Sequence, residues 1–335
     1  MTIKDLAAIT GYAVGTVSRA LNDHPNVSDK ARKAILEAAE EYGFQLNVNA
    51  KQLKQTTSNI ILVIVKGTGN EFFAEMLEYL QPLMARTRYQ LVVDYLDEDH
   101  NEVIRAVQLC REKKPLGILF LGGNRQNFLK DFGKIDIPCV LVTNDASDLP
   151  FPNLSSVGTD DRQAARCAMD ALIAMGHRTF AIVGGDREKS EISRLRYEGC
   201  MDSLRRNGIE FDEERGYRGV RFSCQAGYDA TQQMLAEGYP FTCLFAVADV
   251  MAIGAMRALY NNGLRVPQDV SVMGFDGLPL GSFLVPQLST VIQSVKEMAL
   301  RSVELLMEQI EHGGEARHEW VPYALCQRES TRRTE

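Results

Sequence analysis

Apolar positions in the first 45 residues recur at helical spacing, and no strand-like run interrupts them. Thr2 ahead of Ile3, with Asp5 three positions on, reads as a capping box opening a helix through about Ile9, which Gly11 interrupts. A second pattern, Val14 to Asn22, places Val14, Val17 and Leu21 on one helical face. A third starts at Ser28, carries Ala31, Ile35, Leu36 and Ala39 inward, and stops at Gly43. Three such helices make a very small all-α domain, residues 1–46, that is marginal alone. Residues 47–58 are polar and free of Pro and Gly, a linker with helix formers from Ala50 to Leu53.

From Asn59 the texture changes. Apolar runs at 60–65, 91–93, 116–121, 137–142, 180–183, 243–247 and 270–275 alternate with helical stretches near 72–86, 101–112, 161–175, 191–206, 225–236 and 249–261. Runs apolar on both faces, separated by helices, indicate parallel sheets covered on both sides. So many units over residues 59–330 predict an α/β body of two doubly wound parallel-sheet lobes.

Composition changes this picture little until charge is divided along the chain. The 335 residues are 45% hydrophobic and 24% charged, ordinary for a globular protein. Thirty-seven basic against 44 acidic residues give a net −7, which by itself argues against a nucleic-acid partner. Residues 1–57, however, hold seven basic and six acidic side chains, so the deficit lies in the body. The longest apolar run, 60–65, is six residues, far short of the ~20 that span a bilayer. The N-terminus has no basic, then apolar, leader pattern, and seven scattered cysteines show no C-x-x-C spacing. A cytoplasmic protein with no membrane contact, metal or cofactor is the expectation.

The second helical pattern carries separable chemistry. Val17 and Leu21 face inward, leaving Val14, Gly15, Ser18 and Arg19 on the side that enters a major groove in a helix-turn-helix. Arg19 can reach guanine O6 and N7 with two parallel hydrogen bonds, while Thr16 and Ser18 can hold phosphate oxygens. The strings Thr2-Ile3-Lys4-Asp5-Leu6-Ala7, Thr16-Val17-Ser18-Arg19, Leu21-Asn22 and Val27-Ser28 strongly resemble the DNA-binding headpiece of the LacI/GalR family of bacterial repressors. That resemblance implies base contacts from Val14, Gly15 and Arg19, and backbone contacts from Thr2, Thr16, Ser18 and Asn22. It also implies a hinge helix over residues 47–55 in which Ala50 and Lys51 precede Leu53, a minor-groove wedge. Here Leu46 stands where the family often has Pro before the hinge Asn. Two hinges on a pseudo-palindromic double-stranded operator require a homodimer.

The remainder resembles the same family's effector domain, shared with periplasmic sugar-binding proteins. The carrying strings are Gly176-His177-Arg178, Ser193 to Gly199, Asp249 to Ala255, Val266 to Asp276 and Pro286 to Val291. The resemblance implies lobes that exchange near 160, 290 and 322, and a small-molecule effector between them. The matching contact positions are Phe72, Phe73, Asp160, Arg196, Phe222, Asp249 and Asp276, with Arg196 and Asp276 as a clamp. Ala248 and Asn144 replace polar or acidic family residues, which leaves fewer acceptors for a standard hexose, while Ser190 and Ile192 lack the polar donors that mark a purine site. A sugar or sugar derivative is favoured over a nucleobase or nucleoside. Gly184-Gly185 and Gly122-Gly123 follow strands but complete neither a dinucleotide fingerprint nor a P-loop, so an enzyme is not expected. A transport-type solute-binding protein is disfavoured by the helical N-terminus.

Overall fold

The computed structural model describes residues 2–21, 26–44 and 58–334, in two compact units, Met1–Ser58 and Asn59–Glu335. In the first unit, helix α1 (Ile3–Thr10) opens on a complete capping box. The Asp5 N–H donates to Thr2 Oγ1 at 3.3 Å, and the Thr2 N–H donates to the Asp5 carboxylate at 2.8 Å. Gly11 ends α1 at φ 71°, a left-handed conformation that glycine adopts without a Cβ penalty. Helix α2 (Val14–Leu21) follows, then α3 (Asp29–Glu41), whose first turn is capped by Ser28 Oγ. Leu6, Val17, Ala20, Ala31, Ile35 and Ala39 form the core between the three.

Leu36, expected inside, is 46% exposed. The buried residues of α3 repeat every four positions, and a residue one step past Ile35 is rotated about 100° off that seam.

Position 13, which precedes α2, is Ala and offers no side-chain acceptor to the first turn. Ala13→Ser should supply that cap, worth about 1 kcal/mol. Amide exchange in α2 of the full chain should then slow about fivefold, and unchanged exchange would count against an uncapped helix.

The second unit holds two six-stranded sheets. The first has the order β11-β5-β4-β3-β1-β2, built from β1 (Ile60–Lys66), β2 (Gln90–Leu96), β3 (Gly117–Leu121), β4 (Cys139–Val142), β5 (Leu154–Gly158) and β11 (His318–Trp320). The second has the order β12-β10-β9-β8-β6-β7, from β6 (Phe180–Gly184), β7 (Tyr217–Gly219), β8 (Cys243–Ala246), β9 (Ser271–Asp276), β10 (Ser289–Gln293) and β12 (Tyr323–Cys326). Every pairing is parallel except β10 with β12. The central strands are buried along their whole length, as expected for strands covered by helices on both faces.

The helices of this unit are α4 (Glu71–Met84), α5 (Glu102–Lys113), α6 (Arg125–Asp131), α7 (Asp161–Ala174), α8 (Glu191–Arg206), α9 (Glu213–Gly216), α10 (Cys224–Ala236), α11 (Asp249–Asn261) and α12 (Val295–His312). The chain passes from the first sheet to the second between β5 and α7, which packs on α8. It returns between β10 and α12, which lies against α4, β4 and β5, and crosses again between β11 and β12. Helix α12 was not among the expected elements, although Val295, Met298, Ala299, Ser302, Val303 and Leu306 are buried at helical spacing. Strands β5, β7 and β10 to β12 were also additional. Among the described residues, no helix is long and apolar enough to cross a membrane.

Candidate functional site

Helix α2 presents two chemically distinct faces. Val17 and Ala20 are buried in the core, whereas Val14 is 42% exposed and Gly15 and Arg19 are exposed. Thr16 and Ser18 are half-buried, and Thr2 is exposed at the start of α1, where its hydroxyl is held by the cap. Asn22 and the hinge positions Ala50, Lys51 and Leu53 lie outside the described residues.

In both sheets of the second unit, strand order reverses at the first strand, between β1 and β3 and between β6 and β8. Loops leaving the carboxyl ends at such a reversal part to form a crevice. A cavity of about 950 Å³ lies there, near the upper end of the range for small-molecule sites. Its wall includes Lys66 and Asn70 after β1, Asn124 after β3, Asn144 after β4, Asp186 after β6, and Arg221 and Phe222 after β7.

Two of the asparagines, Asn70 and Asn124, are helix caps as well as wall groups. Asn70 Oδ1 accepts from the Phe72 N–H at 3.1 Å, and Asn124 Oδ1 accepts from the Gln126 N–H at 2.9 Å. Each cap uses the oxygen and leaves the NH2 as a further donor. Lys66 Nζ donates to buried Glu102 and to the His100 carbonyl, both at 2.5 Å. Glu102 also accepts from the Asn124 N–H at 2.6 Å and from Asn127 Nδ2 at 2.9 Å. The other wall cations, Lys189 and Arg221, also have carboxylate partners. Phe73 and Phe222 supply ring surface. A side chain at Gly185 would meet the Phe222 ring at 2.7 Å, so only glycine lets that ring lie over the end of β6.

Of the effector positions suggested by the sequence, Phe73 and Phe222 reach this wall and five do not. Phe72 is 3% exposed and packs in the core beside α4. Asp160 caps α7, accepting from the Gln163 N–H at 3.0 Å. Asp249 is fully buried, and its carboxylate accepts from the Gly277 and Leu278 N–H groups and from the Thr290 hydroxyl at 2.7 to 2.8 Å. Those three donors engage both carboxylate oxygens, and Asp249 is not part of the cavity wall. Burial, reinforced by the charge of Asp276, pushes the Asp249 carboxyl up to about 8.

Arg196 and Asp276 do come together, but behind the wall. Arg196 Nε donates to Asp161 at 2.7 Å, and its Nη1 donates to the Val247 carbonyl and to Asp276 at 3.4 Å. The guanidinium carbon lies 3.5 Å from the Phe275 ring centroid. Gln293 Nε2 adds a hydrogen bond to Asp276 at 2.8 Å. Burial lifts Asp276 to about 6 against the pull of Arg196, and lifts Asp161 in the same direction. Asp161 follows the first crossing between the sheets and Gln293 precedes the second, so the knot ties the crossings to β9. Asp276 has φ 122°, and Thr143, after β4, has φ 84°. Left-handed backbone at non-glycine residues costs energy and clusters at ligand clamps and switch regions.

Residues 2–47 match the family described as bacterial regulatory proteins, lacI family, and residues 169–331 match the periplasmic binding protein-like domain. The HTH-type transcriptional regulator MalR of Clostridium butyricum is 33% identical, over 98% of this chain and 99% of that protein. Among solved structures, a lac repressor dimer bound to operator and an anti-inducer has TM-score 0.74 and 25% identity, covering 99% of each chain. The complex of the transcriptional regulator CelR with cellobiose has TM-score 0.71 and 25% identity, covering 98% of this chain and 99% of that one.

Proposed function

The chain belongs to the lacI family of bacterial regulatory proteins, and from that premise we propose that an uncharged sugar in the cavity of the second unit switches its grip on a palindromic operator. It is a DNA-binding transcriptional regulator, and its operator affinity depends on a small-molecule effector. Arg19 is the main base reader, Val14 and Gly15 add little, and Thr2, Thr16, Ser18 and Asn22 hold the backbone. Ala50, Lys51 and Leu53 enter the minor groove.

The observation that carries the sugar is the charge state of the wall. Lys66, Lys189 and Arg221 all have carboxylate partners, so none is left over for a phosphate or carboxylate ligand. What is offered instead is carboxamide NH2 groups, hydroxyls and two aromatic rings, which suit a polyol with an apolar face. The cellobiose and lac repressor complexes support the same reading. A second copy of the chain completes the operator-binding form. In the second unit, Tyr260 (70% exposed) and Val285 (95%) line a depression together with Ile253, Met256, Leu264 and Leu284. Large exposed apolar groups clustered in this way mark an association face.

Thermal unfolding of the full chain with a panel of neutral mono- and disaccharides, uronic acids, nucleobases and nucleosides tests the effector. A true ligand at about a hundred times its Kd stabilises by about 2.7 kcal/mol, a rise in Tm readily measured. The expected hit is a neutral saccharide, and by linkage the same compound must change operator affinity. A shift confined to nucleobases, nucleosides or uronic acids overturns the assignment.

A further inference from the structure

The loops after β2 and β7 meet across the cavity. Arg221, two residues past β7, donates through Nη2 to Asp97 at 2.6 Å, and its Nε lies 2.8 Å from Glu98. Its Nη1 lies 3.5 Å from Asp99. The backbone N–H of neighbouring Phe222 counters the rise that burial imposes on the Glu98 carboxyl. Thus one guanidinium from the second sheet's loop faces three consecutive carboxylates from the first, and the ring-bearing residue of the cavity wall directly follows it in the chain.

Topology gives this cluster its meaning. Strands β2 and β7 are the terminal strands of their sheets, while the three chain crossings leave from β5, β10 and β11, at the opposite edges. Rotation of one sheet against the other about the crossings separates the β2 and β7 edges most. We propose that Arg221 with Asp97, Glu98 and Asp99 is an electrostatic clasp. It holds the cavity shut at the edge away from the crossings and seats Phe222 through the adjoining Arg221. The clasp takes from the proposed function only that the effector enters this cavity. Entry and exit then require breaking the Arg221 pairs, so the clasp governs how long an effector stays. The partners are partly exposed and screened by salt, so the clasp loosens as ionic strength rises.

The test needs no effector. Hydrogen exchange is followed in ligand-free full-length protein for segments 217–223 and 67–73 and for the cavity loop 122–124. It is measured for the wild type, Arg221→Met and Asp97→Asn, at about 50 mM and about 500 mM NaCl, a range over which screening weakens exposed pairs. The clasp predicts severalfold faster exchange of Phe222 in Arg221→Met, accompanied by faster exchange in 67–73 and 122–124. Those segments lie away from the substituted loop, and a merely local loosening would leave them unchanged. Asp97→Asn falls between, the wild type approaches Arg221→Met at high salt, and Arg221→Met itself responds little to salt. Wild-type exchange in all segments of Arg221→Met, or acceleration confined to 217–223, overturns the clasp. If Arg221→Met does not fold, Asp97→Asn and the wild-type salt series decide: exchange of Phe222 and 67–73 unaltered by both is the overturning result. Failure of the sugar panel leaves these outcomes untouched.

Discussion

Arg19→Ala sharply lowers the preference of the protein for its operator over random DNA. The exposed face of α2 carries the three residues proposed to read bases, Val14, Gly15 and Arg19. Gly15 has no side chain to read with, and Val14 can contact only a thymine methyl. A bidentate Arg–guanine pair discriminates by about 1–3 kcal/mol, and a dimer on a palindrome makes two, so the operator-to-random ratio should fall by at least about thirtyfold. Affinity for random DNA falls far less, since it draws on phosphate contacts from amides and hydroxyls. With seven basic against six acidic groups in residues 1–57, few counterions are released and the salt dependence is shallow. The measurement is competition anisotropy, using an operator selected from random duplexes with the wild-type protein. A ratio that survives Arg19→Ala would remove Arg19 from base reading.

The headpiece was legible because its signals are local. The capping box at Thr2 and Asp5, the stop at Gly11 and the cap at Ser28 each act within four residues, and each is found in place. Leu36 misled because apolarity alone does not give a phase; the four-residue spacing of Ala31, Ile35 and Ala39 does. In the second unit the strong parallel strands announced themselves by continuous apolar runs. Strand β5, Leu-Ser-Ser-Val-Gly, did not, because Ser155 and Ser156 satisfy loop groups at Arg317 and Ala146 through their hydroxyls.

The cavity wall had a readable signal that was missed. Asn70, Asn101 and Asn124 each stand immediately before a helix that follows a strand, which is both the cap position and the carboxyl-end position. Arg196 and Asp276 could be matched as residues, but whether they face a ligand depends on Asp161, Val247 and Gln293 converging from distant parts of the chain. No local pattern encodes that convergence. In this structure the pair lies behind the wall, where it joins residues next to both crossings to β9.

Arg196→Met therefore acts first on stability, and its effect grows with pH. The substitution keeps an unbranched side chain over Phe275 but strands Asp161 and Asp276, both buried, without their cation. Breaking a buried pair by removing one partner costs about 3–5 kcal/mol. The carboxyls of Asp276 and Asp249 are raised in the fold to about 6 and about 8, so the native state holds protons that the unfolded chain has released. Stability from these groups is greatest at low pH and declines as pH climbs from the ordinary carboxylate range through 6 and on to 8. Arg196 opposes that rise at Asp276 and Asp161, so its loss lifts both further and steepens the decline. Urea unfolding should find the variant nearest to wild type at about pH 5, where protonation relieves the stranded acids, and furthest at about pH 8. A gap constant across that range would mean the cost is packing against Phe275 alone. Phe222→Ala makes the contrasting case. Phe222 is half-buried in the cavity wall and has no part in the Arg196 knot, so its loss should weaken the effector-induced Tm shift while leaving the pH profile of unfolding at its wild-type shape. Effector response lost together with a pH-steepened stability marks a residue that holds the crossings; response lost alone marks one that touches the sugar.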